Sequence, residues 1–138
     1  MTVRAGGQGR GPRVLVVDDS IVVRQVLALT LRQIPVFTDA DIDEAGNGAV
    51  ALHRLELARY DLVLSDIRMP LMDGLELVRR MRESAHDRHT PVVLISTLGT
   101  EEDVRRGMEA GATAYIKKPF HSEEILDVIS RLEKKGAA

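Results

Sequence analysis

The chain has 138 residues and a formal net charge of −2, a length that suits one domain with a buried core. It contains no cysteine, which excludes disulfides and thiolate metal sites, and its near-balanced charge and 3% aromatic content give no support for direct nucleic-acid binding. No apolar stretch has membrane-spanning length and no signal-peptide core precedes residue 13, so we expect a cytoplasmic protein without membrane association.

The order of segments predicts a single folded domain. Residues 1–12 are rich in glycine and arginine and predict a flexible leader. Residues 13–135 form the domain, in which apolar runs alternate with helical patterns, and residues 136–138 are a tail. The predicted strands, in chain order, are residues 13–17, 41–45, 62–65, 91–95 and 114–117.

Each predicted strand is followed by a helical pattern. The helix starts are marked in order by Ser20 as an N-cap, the Gly-Asn-Gly turn at 46–48, the loop before Leu75, the capping-box pattern at 100–103, and Ser122. The inner stripe of the first helix is predicted to hold Val23, Val26, Leu27 and Ile34. Pro35 should end the first helix, Gly111 the fourth, and residue 135 the fifth.

Five repeats of strand then helix imply a parallel sheet with right-handed crossovers. The runs at 14–17 and 62–65 are apolar throughout, which is typical of strands buried on both faces. The second strand is short and polar enough for a sheet edge.

Three aspartates stand where two of these strands end. Asp18 and Asp19 close the first strand, and Asp66 closes the third. Open α/β sheets keep their sites at the carboxyl ends of the strands. Each like-charged pair at about 4 Å costs on the order of 4 kcal/mol at an effective dielectric near 20, so this cluster predicts a bound cation.

Four motifs fall at strand ends in the required order. They are Val-Asp-Asp-Ser (17–20), Asp-Ile-Arg-Met-Pro-Leu-Met-Asp-Gly (66–74), Leu-Ile-Ser-Thr (94–97) and Tyr-Ile-Lys-Lys-Pro-Phe (115–120). Together they resemble the receiver domain of two-component response regulators, of the stand-alone chemotaxis type, over residues 13–135. The resemblance implies an α/β, flavodoxin-like, doubly wound sheet of five parallel strands in order 2-1-3-4-5, with five helices.

The resemblance also implies an acceptor and a metal site. Asp66 matches the family's phosphoacceptor, a carboxylate nucleophile that forms an acyl phosphate. Asp19 and Asp66 would bind Mg²⁺ directly, Arg68 through its backbone carbonyl, and Asp18 largely through water. From the residues alone, Asp66 could instead cap a turn, and the acids before Ser20 could simply favour the start of a helix.

Three further positions match functional residues of the family. Lys118 matches the lysine that pairs with the acceptor, and its bond to Pro119 is implied to be cis, although most X-Pro bonds are trans. Ser96 matches the residue whose hydroxyl senses the phosphoryl group, and Thr97 is the other candidate for this role. Tyr115 matches the aromatic residue whose ring swings inward when the loop after Ser96 moves. From the residues alone, Tyr115 could instead be a half-buried tyrosine on an edge strand.

The function implied is that of a switch. A histidine kinase phosphorylates the chain, which then binds an unknown downstream protein through the face of helix four, strand five and helix five, as a monomer or a phosphorylation-dependent dimer. The face includes Arg105, Arg106, Tyr115 and Lys117. We expect no enzymatic activity beyond self-directed phosphotransfer and self-dephosphorylation.

Two alternatives remain. The chain could be the receiver portion of a longer regulator with a DNA-binding or enzymatic output. It could also be a phosphatase of the haloacid dehalogenase type, but those enzymes need a second acid two residues after the nucleophile, where Arg68 stands.

Overall fold

The sheet has five parallel strands in the order β2-β1-β3-β4-β5, in a computed structural model that describes residues 11–137. The strands are β1 Arg13–Val17, β2 Asp41–Ala45, β3 Leu62–Ser65, β4 Val92–Ser96 and β5 Ala114–Lys117. This confirms the predicted flavodoxin-like fold and strand order. Apart from residues 11 and 12, the predicted leader lies outside the described residues.

Within residues 11–137, five α-helices connect and follow the strands, and one short 3-10 helix precedes β2. The α-helices are α1 Ile21–Leu31, α2 Gly48–Leu57, α3 Gly74–Glu83, α4 Glu101–Ala110 and α5 Ser122–Ala137, and the 3-10 helix is Pro35–Phe37. Over the described range, none of these helices has the length and apolar character needed to cross a membrane.

Local capping chemistry explains where the helices begin. Ser20, Asn47 and Asp73 each accept a hydrogen bond from the backbone N–H three residues later, which satisfies a donor that the first turn leaves unpaired. Thr100 forms the predicted capping box at the start of α4. Gly111 ends that helix in a left-handed conformation, with φ of 118°, as glycine readily does.

The first helix differs from the prediction at its end and on its surface. It stops at Leu31 rather than at Pro35, because Pro35, with its fixed φ and missing N–H, instead starts the 3-10 helix. Val26, predicted on the inner stripe, is 41% exposed. Elsewhere the differences are small: β4 starts at Val92, and α5 continues to Ala137, past the predicted domain boundary at residue 135.

The core has two halves, one on each face of the sheet. Side chains of α1 and α5 pack on one face, and side chains of α2 and α3 pack on the other. The apolar residues of β1 and β3 are fully buried between them, as predicted from their unbroken apolar runs. The helices leave the carboxyl ends of the strands as the edge where polar side chains gather.

Candidate functional site

The three strand-end aspartates come together because β1 and β3 are neighbours in the sheet. Val17 is in register with Ser65, so the chain leaves both strands at the same level. Carboxylate oxygens of Asp18, Asp19 and Asp66 all lie within 4.8 Å of one another. The sequence-based expectation of an acidic cluster at this edge is therefore met in the structure.

The three acids differ in burial and in hydrogen bonding. Asp18 is 2% exposed, and its Oδ1 accepts a hydrogen bond from the Ser20 N–H at 2.9 Å. Asp66 is 8% exposed, and its Oδ1 accepts from the Ile67 N–H at 2.7 Å. Asp19 is exposed to solvent. The cluster thus has two buried, oriented carboxylates and one that faces the open side.

Lys118, the residue that follows β5, reaches into this cluster. Its Nζ donates to Asp18 Oδ2 at 2.7 Å and to Asp66 Oδ2 at 3.0 Å. Burial works to lower the pKa of the Lys118 ammonium, but these hydrogen bonds outweigh it, and the pKa lies above its ordinary value. The Lys118–Pro119 peptide bond is cis, as the resemblance implied.

The donor set suits a hard divalent cation. Three carboxylates face one ammonium, which leaves a formal charge of −2 at the site. Oxygen-only ligands favour Mg²⁺ or Ca²⁺ over metals that prefer nitrogen or sulfur. Arg68 lies two residues beyond Asp66 in the β3–α3 loop with its side chain exposed, and the role of its carbonyl stays a prediction.

The loop that follows Asp66 is held close to it at Gly74. The Gly74 N–H donates to Ile67 O at 2.8 Å, and a Cβ at this position would lie 2.1 Å from Asp66 O. Only glycine allows so close an approach of the two backbone segments. In the Asp-Gly pair at the end of the second motif, packing thus explains the glycine, and the aspartate is the N-cap of α3.

Ser96 and Tyr115 lie next to this site at the ends of β4 and β5. Ser96 is fully buried, and its Oγ accepts from the Leu98 N–H at 3.2 Å. The Tyr115 hydroxyl donates to Leu98 O. Burial raises the pKa of the Tyr115 hydroxyl, and the nearby Ser96 hydroxyl works in the opposite direction. The two predicted switch residues are therefore already linked through the β4–α4 loop.

Gly107 of α4 has a role that helix propensity does not explain. A Cβ at this position would lie 2.9 Å from Tyr115 Cδ2 and 3.0 Å from Leu94 Cδ1. The missing side chain makes room for the tyrosine ring against α4. Glycine in mid-helix is the sequence signal for such a close contact, although from sequence it indicates only a weaker helix.

Arg24 of α1 also contacts the site and is not found by motif reading. Its Nη1 donates to Asp18 O at 2.6 Å, and its Nε donates to Glu44 at the end of β2. The signal in the sequence is a charged residue among the apolar residues of α1, five positions after Asp19, with an acid on the edge strand.

Residues 14–130 match the Response regulator receiver domain family. The chain is 36% identical over 118 residues to the chemotaxis protein CheY of Halobacterium salinarum, a match that covers 86% of this chain and 93% of that protein. This chain spans only 15%, 49% and 52% of the lengths of three other curated relatives that it matches.

Two solved structures show the same fold. The chemotaxis response regulator CheY4 of Vibrio cholerae has a TM-score of 0.79 and 34% identity, covering 88% of this chain and 98% of that one. The receiver domain of the sensor histidine kinase PA1611 from Pseudomonas aeruginosa, solved with a magnesium ion in its active-site cleft, has a TM-score of 0.77 and 27% identity, covering 88% and 96%. From its strand order, its acidic edge and these matches, the chain belongs to the response regulator receiver domain family.

Proposed function

We propose that this receiver accepts a phosphoryl group on Asp66 from a histidine kinase, with Mg²⁺ bound, and thereby switches the binding of a downstream protein. The observation that carries the proposal is the convergence of three carboxylates and the Lys118 ammonium at one sheet edge. Phosphoryl transfer requires positioning and charge neutralisation more than covalent chemistry from other residues, and this site has the groups for both.

In the transfer step, a carboxylate oxygen of Asp66 attacks the phosphorus of a phosphohistidine. The new O–P bond forms as the N–P bond breaks, and the electron pair returns to the imidazole, which leaves neutral if its other nitrogen carries a proton. Asp66 Oδ1 is oriented by the Ile67 N–H, which fixes the direction of the nucleophile. Lys118, already bonded to Oδ2, stays next to the phosphoryl oxygens as their charge develops.

Asp19 and Asp66 are the proposed direct metal ligands, with the Arg68 carbonyl. Asp18, whose two oxygens accept hydrogen bonds from Ser20 N–H and Lys118, is proposed to act largely through water, as the resemblance implies. The chemistry that bound Mg²⁺ supplies is neutralisation of the carboxylates and of the incoming phosphoryl oxygens.

The proposed switch redirects the hydroxyl of Ser96. In this structure Ser96 Oγ accepts from Leu98 N–H, and the Tyr115 hydroxyl donates to the carbonyl oxygen of the same residue. A phosphoryl group on Asp66 offers strong acceptor oxygens, and a hydroxyl has only one proton to donate. When Ser96 turns toward the phosphoryl group, the Leu98 loop and the Tyr115 ring must rearrange, which changes the α4–β5 surface.

We place the partner surface on α4, β5 and α5. Arg105, Arg106 and Lys117 are exposed on α4 and β5, and Arg105 forms ion pairs with Glu102 and Glu109 of its own helix. Such partnered charges are easily rearranged, since exposed ion pairs contribute only about 0–1 kcal/mol. We propose that the protein is cytoplasmic and that the only substrate it hydrolyses is its own acyl phosphate.

Similarity to a chemotaxis protein, along 93% of that protein's length, supports a protein-binding output for this receiver. A haloacid dehalogenase activity is disfavoured because the position that needs a second acid holds Arg68.

The test is phosphorylation by acetyl phosphate with Mg²⁺, followed by intact-protein mass spectrometry. The wild type should gain the mass of one phosphoryl group, and Asp66→Asn should gain none. Asp73→Asn is the matched control, since it changes an exposed N-cap aspartate of the same motif, and it should still be modified. A modification that persists in Asp66→Asn would mean that another residue is the acceptor.

A further inference from the structure

Arg24 joins three elements behind the acidic cluster. Its Nη1 donates to Asp18 O at 2.6 Å, and its Nε donates to Glu44 Oε1 at 2.8 Å. The Arg24 side chain is only 16% exposed, whereas that of Glu44 is 39% exposed. The guanidinium therefore connects α1 to the ends of β1 and β2 in a largely buried position.

This contact completes the restraint on Asp18. The Asp18 N–H donates to Ala45 O at 3.1 Å, and its carboxylate accepts from Ser20 N–H and Lys118. The carbonyl is the remaining polar group of the residue, and Arg24 occupies it. Because Asp19 is bonded directly to this carbonyl carbon, any movement of the peptide unit moves the exposed carboxylate as well.

We propose that Arg24 is a positioning residue that holds the Asp18–Asp19 peptide in the geometry required for Mg²⁺, with Glu44 as its anchor. For the consequence on phosphotransfer, this inference rests on the proposed function, but its effect on metal binding can be measured without any phosphoryl donor. The planar fork of arginine can bond two acceptors on different elements at fixed angles, which a lysine ammonium cannot reproduce.

A loosened peptide should affect Mg²⁺ more than Ca²⁺. Mg²⁺ demands a near-ideal octahedral arrangement of its ligands, whereas Ca²⁺ accepts a range of ligand numbers and distances. Loss of the Arg24 contacts should therefore lower the affinity for Mg²⁺ and also lower the ratio of Mg²⁺ affinity to Ca²⁺ affinity. A general loss of stability would leave the ratio of the two affinities unchanged.

The experiment is calorimetric titration of the full chain with Mg²⁺ and with Ca²⁺, at a temperature where circular dichroism shows each variant to be folded. Arg24→Gln should weaken Mg²⁺ binding by about 10-fold or more, the usual effect of losing a group that orients a ligand. Arg24→Lys should rescue only part of the loss. In both variants the ratio of Mg²⁺ to Ca²⁺ affinity should fall.

Arg32→Gln is the matched control. Arg32 follows the same helix, and its Nη1 also donates to backbone carbonyls, those of Thr38 and Ala40, but far from the acids. This variant should keep both cation affinities within about twofold of the wild type. If Arg24→Gln does not fold, Glu44→Ala decides, since it removes only the anchor and should lower Mg²⁺ affinity in the same direction by a smaller factor.

With acetyl phosphate, the Arg24 variants should need more Mg²⁺ for half-maximal phosphorylation, while the rate at saturating Mg²⁺ stays close to that of the wild type. Unchanged Mg²⁺ affinity in the Arg24 variants, or in Glu44→Ala if those variants do not fold, would overturn the inference and leave the proposed function standing. A wild type that binds Mg²⁺ but gains no phosphoryl group would overturn the proposed function, and the metal titrations would still test Arg24.

Discussion

Replacing Asp19 by asparagine should stabilise the metal-free protein, whereas the same change at Asp18 should not. The carboxylate oxygens of the cluster lie within 4.8 Å of one another, so each pair repels by about 3.5 kcal/mol at an effective dielectric near 20. Asp19 is exposed, and solvent screening reduces its share to about 1–2 kcal/mol. Asp19→Asn should therefore raise Tm by roughly 4–8 °C in chelator.

Asp18 is different because its repulsion is already offset. Its carboxylate is 2.7 Å from Lys118 Nζ and 2% exposed, so the attraction it would lose is about 6 kcal/mol at the same dielectric. The repulsion it would relieve is smaller, about 3.5 kcal/mol from the buried Asp66 and about 1 kcal/mol from the solvent-screened Asp19. Asp18→Asn should leave Tm unchanged or lower it. From the sequence alone the two acids are equivalent, and it is their partners that separate them.

The assay is thermal denaturation by circular dichroism, in chelator and then in Mg²⁺. In Mg²⁺ the ranking should reverse, because the wild type gains binding free energy that Asp19→Asn largely lacks. In 1 M salt the benefit of Asp19→Asn should shrink, because the Debye length falls to about 3 Å. A lower Tm for Asp19→Asn in chelator would refute the electrostatic reasoning.

Three further changes test the packing and the charge of the fold. Gly74→Ala should lower the free energy of unfolding in urea by at least about 3 kcal/mol, because its Cβ would meet the carbonyl oxygen of Asp66 at 2.1 Å. Gly46→Ala, with its nearest neighbour at 3.6 Å, should be tolerated. In the wild type, Gly107→Ala should not raise the free energy of unfolding by the ~1 kcal/mol that helix propensity predicts, because the new methyl group would meet the Tyr115 ring. In a Tyr115→Ala background, where the ring is absent, the same substitution should give that gain. Burial raises the pKa of the Asp87 carboxyl, so its contribution to stability is present in acid and lost as the pH rises through its folded-state pKa. Asp87→Asn should therefore gain stability over the wild type from about pH 4 upward, with little difference at lower pH; an equal difference at all pH values would contradict this assignment.

The strands and the acidic edge were predictable because both depend on local patterns. The apolar runs of β1 and β3 can only be buried on both faces, and the aspartates that close them must then share an edge. Cap residues such as Ser20 and Thr100 marked helix starts by their own side-chain chemistry. The family resemblance supplied the strand order and the cis bond before Pro119.

What escaped prediction depends on contacts between distant segments. The surface of α1 carries more apolar residues than the core can accept, so periodicity could not show that Val26 is exposed. Gly107 is needed because the Tyr115 ring of the following strand packs against it, and Arg24 is held by a contact with Glu44 near the end of β2. Such pairings follow from the assembled sheet, and local sequence patterns do not encode them.

The pairing of Lys118 with Asp18 spans 100 residues of chain. A ribosome must therefore release the chain beyond β5 before the Lys118 ammonium can meet the carboxylates, and every shorter nascent chain lacks this cation. Synthesis itself thus delays the proposed competence for phosphotransfer until Lys118 has joined the cluster.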